Sequence, residues 1–319
     1  MTVQNLPKWT RDYVLQVDGQ MPITSVVDKV GKIEETANPS LQNHYVIQFP
    51  LTVEFETNQG SLAANTDASF RVYNLAPETR NDLFHLCNQT SELERQQIKF
   101  SIGYKSQHKV YLAWSGYVNE CYSYSDGPNW ITVIEGTCGW YGTLCGYTAT
   151  SLPAQRDTAG VLKRLVESTT FFGFGACGDI STVYTRPVAL NGKISDVVNS
   201  IAGSEKKTIY LQNGNLYFLG PNEYLAKQGM QELIITSDNI IGSPKRYGGV
   251  LEVTTFLEPL AFVGEIANIQ SSNPIYNGPW QILAVKHKGT ISGAICGEAT
   301  TTLELFTGNS VTTAVTKVK

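Results

Sequence analysis

The sequence predicts a mainly β protein with a smaller α/β segment inserted between two β regions. Three observations carry this. Apolar residues alternate strictly with polar ones in the first half. Helical spacing takes over near the middle, and short strands cut by Gly and Pro return toward the end. At 319 residues the chain has room for two or three domains.

The first β region spans 1–150 and carries one short helix. From Ile47 the residues Ile47, Phe49, Leu51, Val53 and Phe55 alternate with Gln48, Thr52, Glu54 and Glu56, the pattern of a strand with one buried and one wet face. Pro50 falls on the polar side, which predicts a free edge or a bulge there. The alternation recurs at Phe70 and Val72, at Ile98, Phe100 and Ile102, and at Val110, Leu112 and Trp114. Trp130 to Glu135 is apolar on both faces, as in a strand covered on both sides. Pro77-Glu78-Thr79-Arg80 opens the helix, with Leu83, Phe84 and Leu86 inward.

The α/β segment spans 151–228. Asp157 and Thr158 can cap a helix with Val161, Leu162, Leu165 and Val166 on one face, and Gly173, Gly175 and Gly178 form a turn that ends it. A second helix follows Ser195, with Val197, Val198 and Ile201 inward. Then Ile209 to Phe218 reads as a hairpin, because Asn213-Gly214 supplies the positive φ angles of a tight turn. The second β region spans 229–306, and 307–319 is a polar tail expected to be flexible until something binds it.

Composition narrows the function. Hydrophobic residues make up 42% and charged residues only 16%, with 16 Tyr and 5 Trp, a balance that favours sheets and uncharged contact surfaces. Net charge is −4 and the longest basic cluster is Lys206-Lys207, so tight DNA binding is not expected. No apolar stretch is long enough to span a membrane, and the start of the chain lacks the apolar core of a signal peptide. Six cysteines (Cys87, Cys121, Cys138, Cys145, Cys177, Cys296) are scattered without close pairing, and read as reduced thiols rather than metal ligands. Cys138 and Cys145 are close enough in sequence to meet across a hairpin.

Catalytic patterns are missing. No Gly-x-Ser-x-Gly, Gly-x-x-x-x-Gly-Lys or His-Glu-x-x-His occurs. Glu34-Glu35 and Asp179 read as surface acids, and His287 as a loop-bonding histidine at the end of a strand before Gly289. The Gly173 to Gly178 run follows a helix, the wrong order for cradling phosphate. No enzyme, cofactor or metal is expected.

Two stretches are more specific. The first runs Phe70-Arg71-Val72-Tyr73-Asn74-Leu75, the helix, Ile98 to Gly103-Tyr104, then Val110 to Gly116-Tyr117-Val118. The second runs Ile240-Ile241-Gly242-Ser243-Pro244, Gly248-Gly249-Val250, Phe256-Leu257-Glu258-Pro259, Gly264, then Gly278-Pro279-Trp280 to His287-Lys288-Gly289. Together they resemble the first and last β domains of phage tail baseplate hub proteins (the phage protein D or late control protein D-like family), in the family's order from about Tyr45 to Phe306. Thr137-Cys138-Gly139 departs from the family's acidic Asp-Gly position.

The resemblance implies two related β-barrel domains flanking the insertion, and no catalysis. It implies a homotrimer forming the central hub of a virion tail, adapting a six-fold tail tube to a three-fold spike. Tube or distal tail proteins would bind one face and the spike the other, with baseplate wedge proteins at the periphery against the insertion. DNA would pass through without tight binding, spike and lysozyme domains would be separate proteins, and assembly would occur in the host cytoplasm. The residues matching the family's turns are Asn74, Leu75, Gly103, Tyr104, Gly116, Gly242, Pro244, Gly248, Gly249, Pro259, Gly264, Gly278, His287 and Gly289. The competing readings are a receptor- or glycan-binding tail adhesin, equally β-rich and low in charge, and a wall-degrading enzyme.

Overall fold

The structure, a computed structural model, describes residues 10–18, 44–61, 66–88, 96–139, 146–154, 156–168, 173–178, 182–226, 233–293, 297–306 and 313–315. Glu34, Glu35, Cys145, Asp179 and Cys296 lie outside the described residues, as does most of the 307–319 tail.

The fold is mainly β. The first region supplies β1 (Arg11–Asp18), β2 (His44–Gln48), β3 (Val53–Ser61) and β4 (Asp67–Tyr73), then helix α1 (Pro77–Cys87), β5 (Gln97–Tyr104), β6 (Lys109–Asp126) and β7 (Asn129–Thr137). The predicted Ile47–Phe55 strand is in fact two strands with different partners: β2 pairs with β1, and β3 pairs with β4. Pro50 lies in the turn between them, where its missing N–H costs no ladder bond. In α1 Leu83 and Leu86 are buried as expected, but Phe84 points out. At the centre Phe100 packs between Phe55 and Phe70, with ring centroids 4.9 and 4.8 Å away, and Phe70 meets Trp114 edge-on at 6.0 Å.

The middle segment supplies β8 (Tyr147–Leu152), β9 (Arg156–Asp157), α2 (Thr158–Glu167), β10 (Gly173–Cys177), β11 (Val183–Tyr184), β12 (Val188–Lys193), α3 (Ile194–Ser204), β13 (Thr208–Gln212), β14 (Asn215–Leu219) and β15 (Glu223–Leu225). The glycine run expected as a turn is strand β10, parallel to β14, and glycine is what lets it lie there. A Cβ at Gly175 would press on the Tyr217 ring. Neither predicted cap forms: Asp157 precedes α2 without a side-chain bond to it, and Lys193 rather than Ser195 precedes α3. The hairpin β13–β14 turns at Asn213 and Gly214, both at positive φ, as the Asn-Gly pair predicts.

The last region supplies β16 (Leu233–Thr236), β17 (Lys245–Tyr247), β18 (Val250–Phe256), β19 (Ile266–Gln270), β20 (Gly278–Ile291), β21 (Ala299–Phe306) and β22 (Thr313–Val315). Within the tail, β22 pairs in parallel with β15, so that part of it is strand rather than free chain.

One sheet joins the two β regions. Its strands follow the order β17-β18-β21-β20-β3-β4-β7-β6-β5-β1-β2, and no closed barrel is found among the described strands. The seam is the antiparallel ladder from Val285–Gln59 to Ile291–Val53 between β20 and β3. Two hydrophobic cores lie under this sheet. The β13–β14 hairpin serves both: Ile209, Leu211, Leu216 and Phe218 pack into the first core, while Tyr210, Tyr217 and Leu219 pack into the second. An alternating hairpin buried on both faces is a septum, so its apolar content is high on both registers.

A buried ion pair within the middle segment holds Glu223, whose backbone then meets the last region. Lys207 Nζ lies 2.6 and 2.7 Å from the Glu223 carboxylate oxygens. Gly220 N–H donates to the same carboxylate at 2.6 Å, and Gln281 Nε2 donates to the Glu223 carbonyl at 2.7 Å.

Candidate functional site

The two β regions present one shared polar face. On β3 the burial alternates, with Val53, Phe55, Thr57 and Gln59 inward and Glu54, Glu56 and Asn58 toward the open side. Neighbouring strands keep the register, placing Arg71 opposite Glu54 and Lys288 opposite Glu56. A cavity of ≈ 720 Å³ lies over this face, lined among others by Glu54, Glu56, Asp67, Arg71, Glu135 and Lys288.

Glu54, Glu56 and Asp67 are engaged. Lys286 and Lys288 reach Glu56 at 2.6 and 3.3 Å, and the hydrogen bond from Lys286 holds the Glu56 carboxyl below its ordinary value. Tyr73 donates to Glu54 at 2.7 Å, with Arg71 at 3.8 Å; burial and then this bond push the Tyr73 hydroxyl up to about 12. Thr137 donates to Asp67 at 2.9 Å. A carboxyl held low and paired is the opposite of a general acid, which needs a raised pKa. Among the described residues no group of three or more His, Cys, Asp or Glu could hold a metal ion.

Beneath that face runs a buried polar row. Thr57 pairs with His287, His287 with Thr301 and Thr301 with Thr255, so the row crosses β3, β20, β21 and β18. All four side chains are buried. His287 Nδ1 lies 2.9 Å from Thr301 Oγ1, which also accepts from Glu258 N–H at 2.8 Å. In the neutral ring either atom of this pair can donate, according to the tautomer, since the hydroxyl has one proton and two lone pairs. Burial depresses the His287 pKa to about 4, in keeping with that neutral state.

The sheet path ends on unlike edges. At one end stands β17, exposed at all three residues, closed onto β18 by the Gly248-Gly249 turn. In a two-residue hairpin the closing pair, here Tyr247 and Val250, exchanges the hydrogen bonds, so the backbone groups of Arg246 point away from β18. At the other end stands β2, which among the described residues pairs with β1. Exposed apolar side chains occur on β17 (Tyr247), before it (Ile241) and at the end of β18 (Phe256). A second exposed group gathers at α1, where the Arg80 guanidinium sits 4.0 Å over the Trp130 ring and Phe84 is uncovered.

The residues singled out by sequence fall into two sets. Tyr104, Pro259 and His287 come together at the seam: Tyr104 donates to the Leu257 carbonyl at 2.7 Å, two residues before Pro259, and Glu258 bonds the hydroxyl that faces His287. The others mark separate turns and close approaches. Asn74 holds positive φ, donates to Asn129 at 3.0 Å and accepts from Trp130 N–H at 3.0 Å, and Leu75 is buried beside it. Gly116 lies where a Cβ would meet the Thr137 carbonyl at 2.8 Å, and Gly103 where it would meet the Lys109 carbonyl. Gly242 and Pro244 precede β17, Gly248 and Gly249 follow it, Gly264 bonds Leu225, and Gly278 opens β20. His287 and Gly289 lie inside β20, which continues to Ile291, so the turn expected at Gly289 is absent. The glycine is there because a Cβ would strike Ala299 on β21. Thr57, Thr255 and Thr301 were missed; the available signal was a polar residue on the inward register of an alternating strand.

A family model described as "Baseplate hub gp41" matches residues 35–290, well over half of the chain. No curated protein sequence matches. Among solved structures the chain is similar to the 43 kDa tail protein of prophage MuSo2 from Shewanella oneidensis, at 9% identity and TM-score 0.53, over 82% of this chain and 93% of that one. It is similar to the tail protein from Neisseria meningitidis MC58, at 9% identity and TM-score 0.54, over 81% and 96%. It is also similar to the E. coli c3393 protein, described as a component of the type VI secretion system resembling T4 tail proteins gp27 and gp5. That match has 9% identity and TM-score 0.52, over 82% and 74%.

Proposed function

This chain belongs to the baseplate hub gp41 family, and from that premise we propose that it forms the trimeric central hub of a phage tail baseplate. The family is one of structural tail proteins. The observation that carries the reading is the family match over residues 35–290. The finer claims rest on physical compatibility.

A sheet that ends on two unlike edges makes head-to-tail contacts, and such contacts close into rings when the rotation per copy allows. In the proposed ring the β17 edge of one copy adds to the β2 edge of the next. Each chain brings two β units, 1–150 and 229–306, so three copies present six similar lobes to a tube while keeping three-fold symmetry for a spike. The 151–228 segment and the 307–319 tail are the remaining units. The turn residues named above shape the strands and touch no ligand. The virion is the working location, and DNA is passed rather than held.

Native mass measurement of the purified chain, alone and mixed with its tube protein, tests this. A trimer, or a monomer that trimerises on the tube or spike protein, is the expected result. A strict monomer that binds glycans and ignores both proteins would point to an adhesin instead.

A further inference from the structure

Of the cysteines among the described residues, two meet. Cys87 is the last residue of α1 and Cys121 lies on β6, and α1 packs on that strand. Both side chains are buried in the first core. Asn88, next in sequence to Cys87, donates from Nδ2 to the carbonyl of Cys121 at 2.7 Å, so the two backbones are pinned side by side. The thiols hydrogen-bond each other directly. Cys138 and Cys177 are placed differently: Cys138 Sγ accepts from Gly214 N–H at 3.3 Å, and Cys177 sits on β10.

We propose that Cys87 and Cys121 are a redox-closable staple, reduced in the cell and joined as a disulfide once the protein meets a small-molecule disulfide oxidant. The Asn88 side chain holds the end of α1 against the Cys121 carbonyl, so the two cysteines stand side by side before any bond forms. Cys87 is 7% exposed and Cys121 1%, so the oxidant reaches Cys87 first. With oxidised glutathione, the Cys87 sulfur attacks one glutathione sulfur. The oxidant's S–S bond breaks and one glutathione leaves as thiolate, taking up the Cys87 proton. The Cys121 sulfur then displaces the second glutathione from Cys87, and that leaving thiolate takes up the Cys121 proton. The two cysteines are oxidised by two electrons and one glutathione disulfide is reduced to two thiols. The hydrogen bond to Cys121 and burial push the Cys87 thiol up, so the first attack is the slow step of the sequence.

The closed bond ties the end of α1 to the long strand that leads into the exposed Tyr122, Tyr124 and Trp130 side chains. A component assembled in reducing cytoplasm and released into an oxidising medium passes through both states. That passage through both states rests on the hub reading, whereas formation of the bond is a property of this chain alone.

The test uses the full native chain in oxidised glutathione, quenched by alkylation and read by intact mass and peptide mapping. The expected result is loss of the mass of two hydrogens, with Cys87 and Cys121 as the linked peptides and the other four of the six cysteines still alkylated. Cys121→Ser should retain one glutathione on Cys87, and Cys87→Ser should retain none or far less. Thermal unfolding of oxidised wild type should fall when reductant is added, and that of the Cys87→Ser variant should not move. Alkylation of both thiols after oxidation, stable glutathione adducts on wild type, or a link through any other cysteine would each overturn the proposal.

Discussion

Acidification should destabilise this protein through one buried ring. His287 is fully enclosed at the seam, and its folded pKa stands at about 4 against an ordinary value of 6.5. The native state therefore resists the proton that the unfolded chain accepts. For a histidine depressed on folding, stability is complete above the unfolded value and falls as pH drops from 6.5 toward 4. Linkage gives a loss of about 2 to 3 kcal/mol near pH 4.5. Carboxylates such as Glu56, held below its ordinary value by Lys286, add their own acid loss only lower down the scale. His287→Gln removes the titration while keeping a polar side chain beside Thr301. Urea unfolding of both proteins near neutrality and near pH 4.5 isolates the effect as a difference of differences. Wild type should lose about 2 to 3 kcal/mol more than the variant. Parallel losses in the two proteins would refute the reasoning, because the ring would then be accessible or already paired in its charged form.

Other substitutions test separate parts of the structure. Lys207→Met strands the buried Glu223 carboxylate and should cost about 3–5 kcal/mol in chemical denaturation, more than the Lys207→Met, Glu223→Gln double variant. Gly289→Val drives a side chain into Ala299 and should cost about 2–3 kcal/mol in thermal unfolding. Gly203→Ala, in α3 with open space around it, should instead gain about 0.5–1 kcal/mol in the same assay. Arg246→Pro removes an N–H that faces away from β18, so circular dichroism should report an intact fold while native mass measurement reports lost self-association.

Much of this fold is legible because alternation is a local signal. Val53 to Phe55, Phe70 to Val72 and Ile98 to Ile102 each declare a face, and the Asn213-Gly214 pair declares its hairpin. Pairing between distant strands is not local. Nothing in the residues of β3 names β20 as its neighbour, so the ladder that joins the two β regions cannot be read from them. The glycines misled for a related reason. Gly173, Gly175 and Gly289 are required by what lies across from them, and read in isolation they look like turns. The buried row shows the same limit: Thr57 is polar on an inward register opposite His287, and that pairing exists only once the sheet has formed. The resemblance to hub proteins survived these errors because it rested on the order of turns, which the strand pairing does not alter.

The position of the chain in an assembled particle tests the account's central claim most directly. A density map of the tail tip should place this protein in the central ring, with about six lobes facing the tube and three-fold symmetry on the opposite side. Its β17 edge should lie against a neighbouring copy. Finding the chain instead in a peripheral fibre, or as single copies outside the ring, would contradict the account.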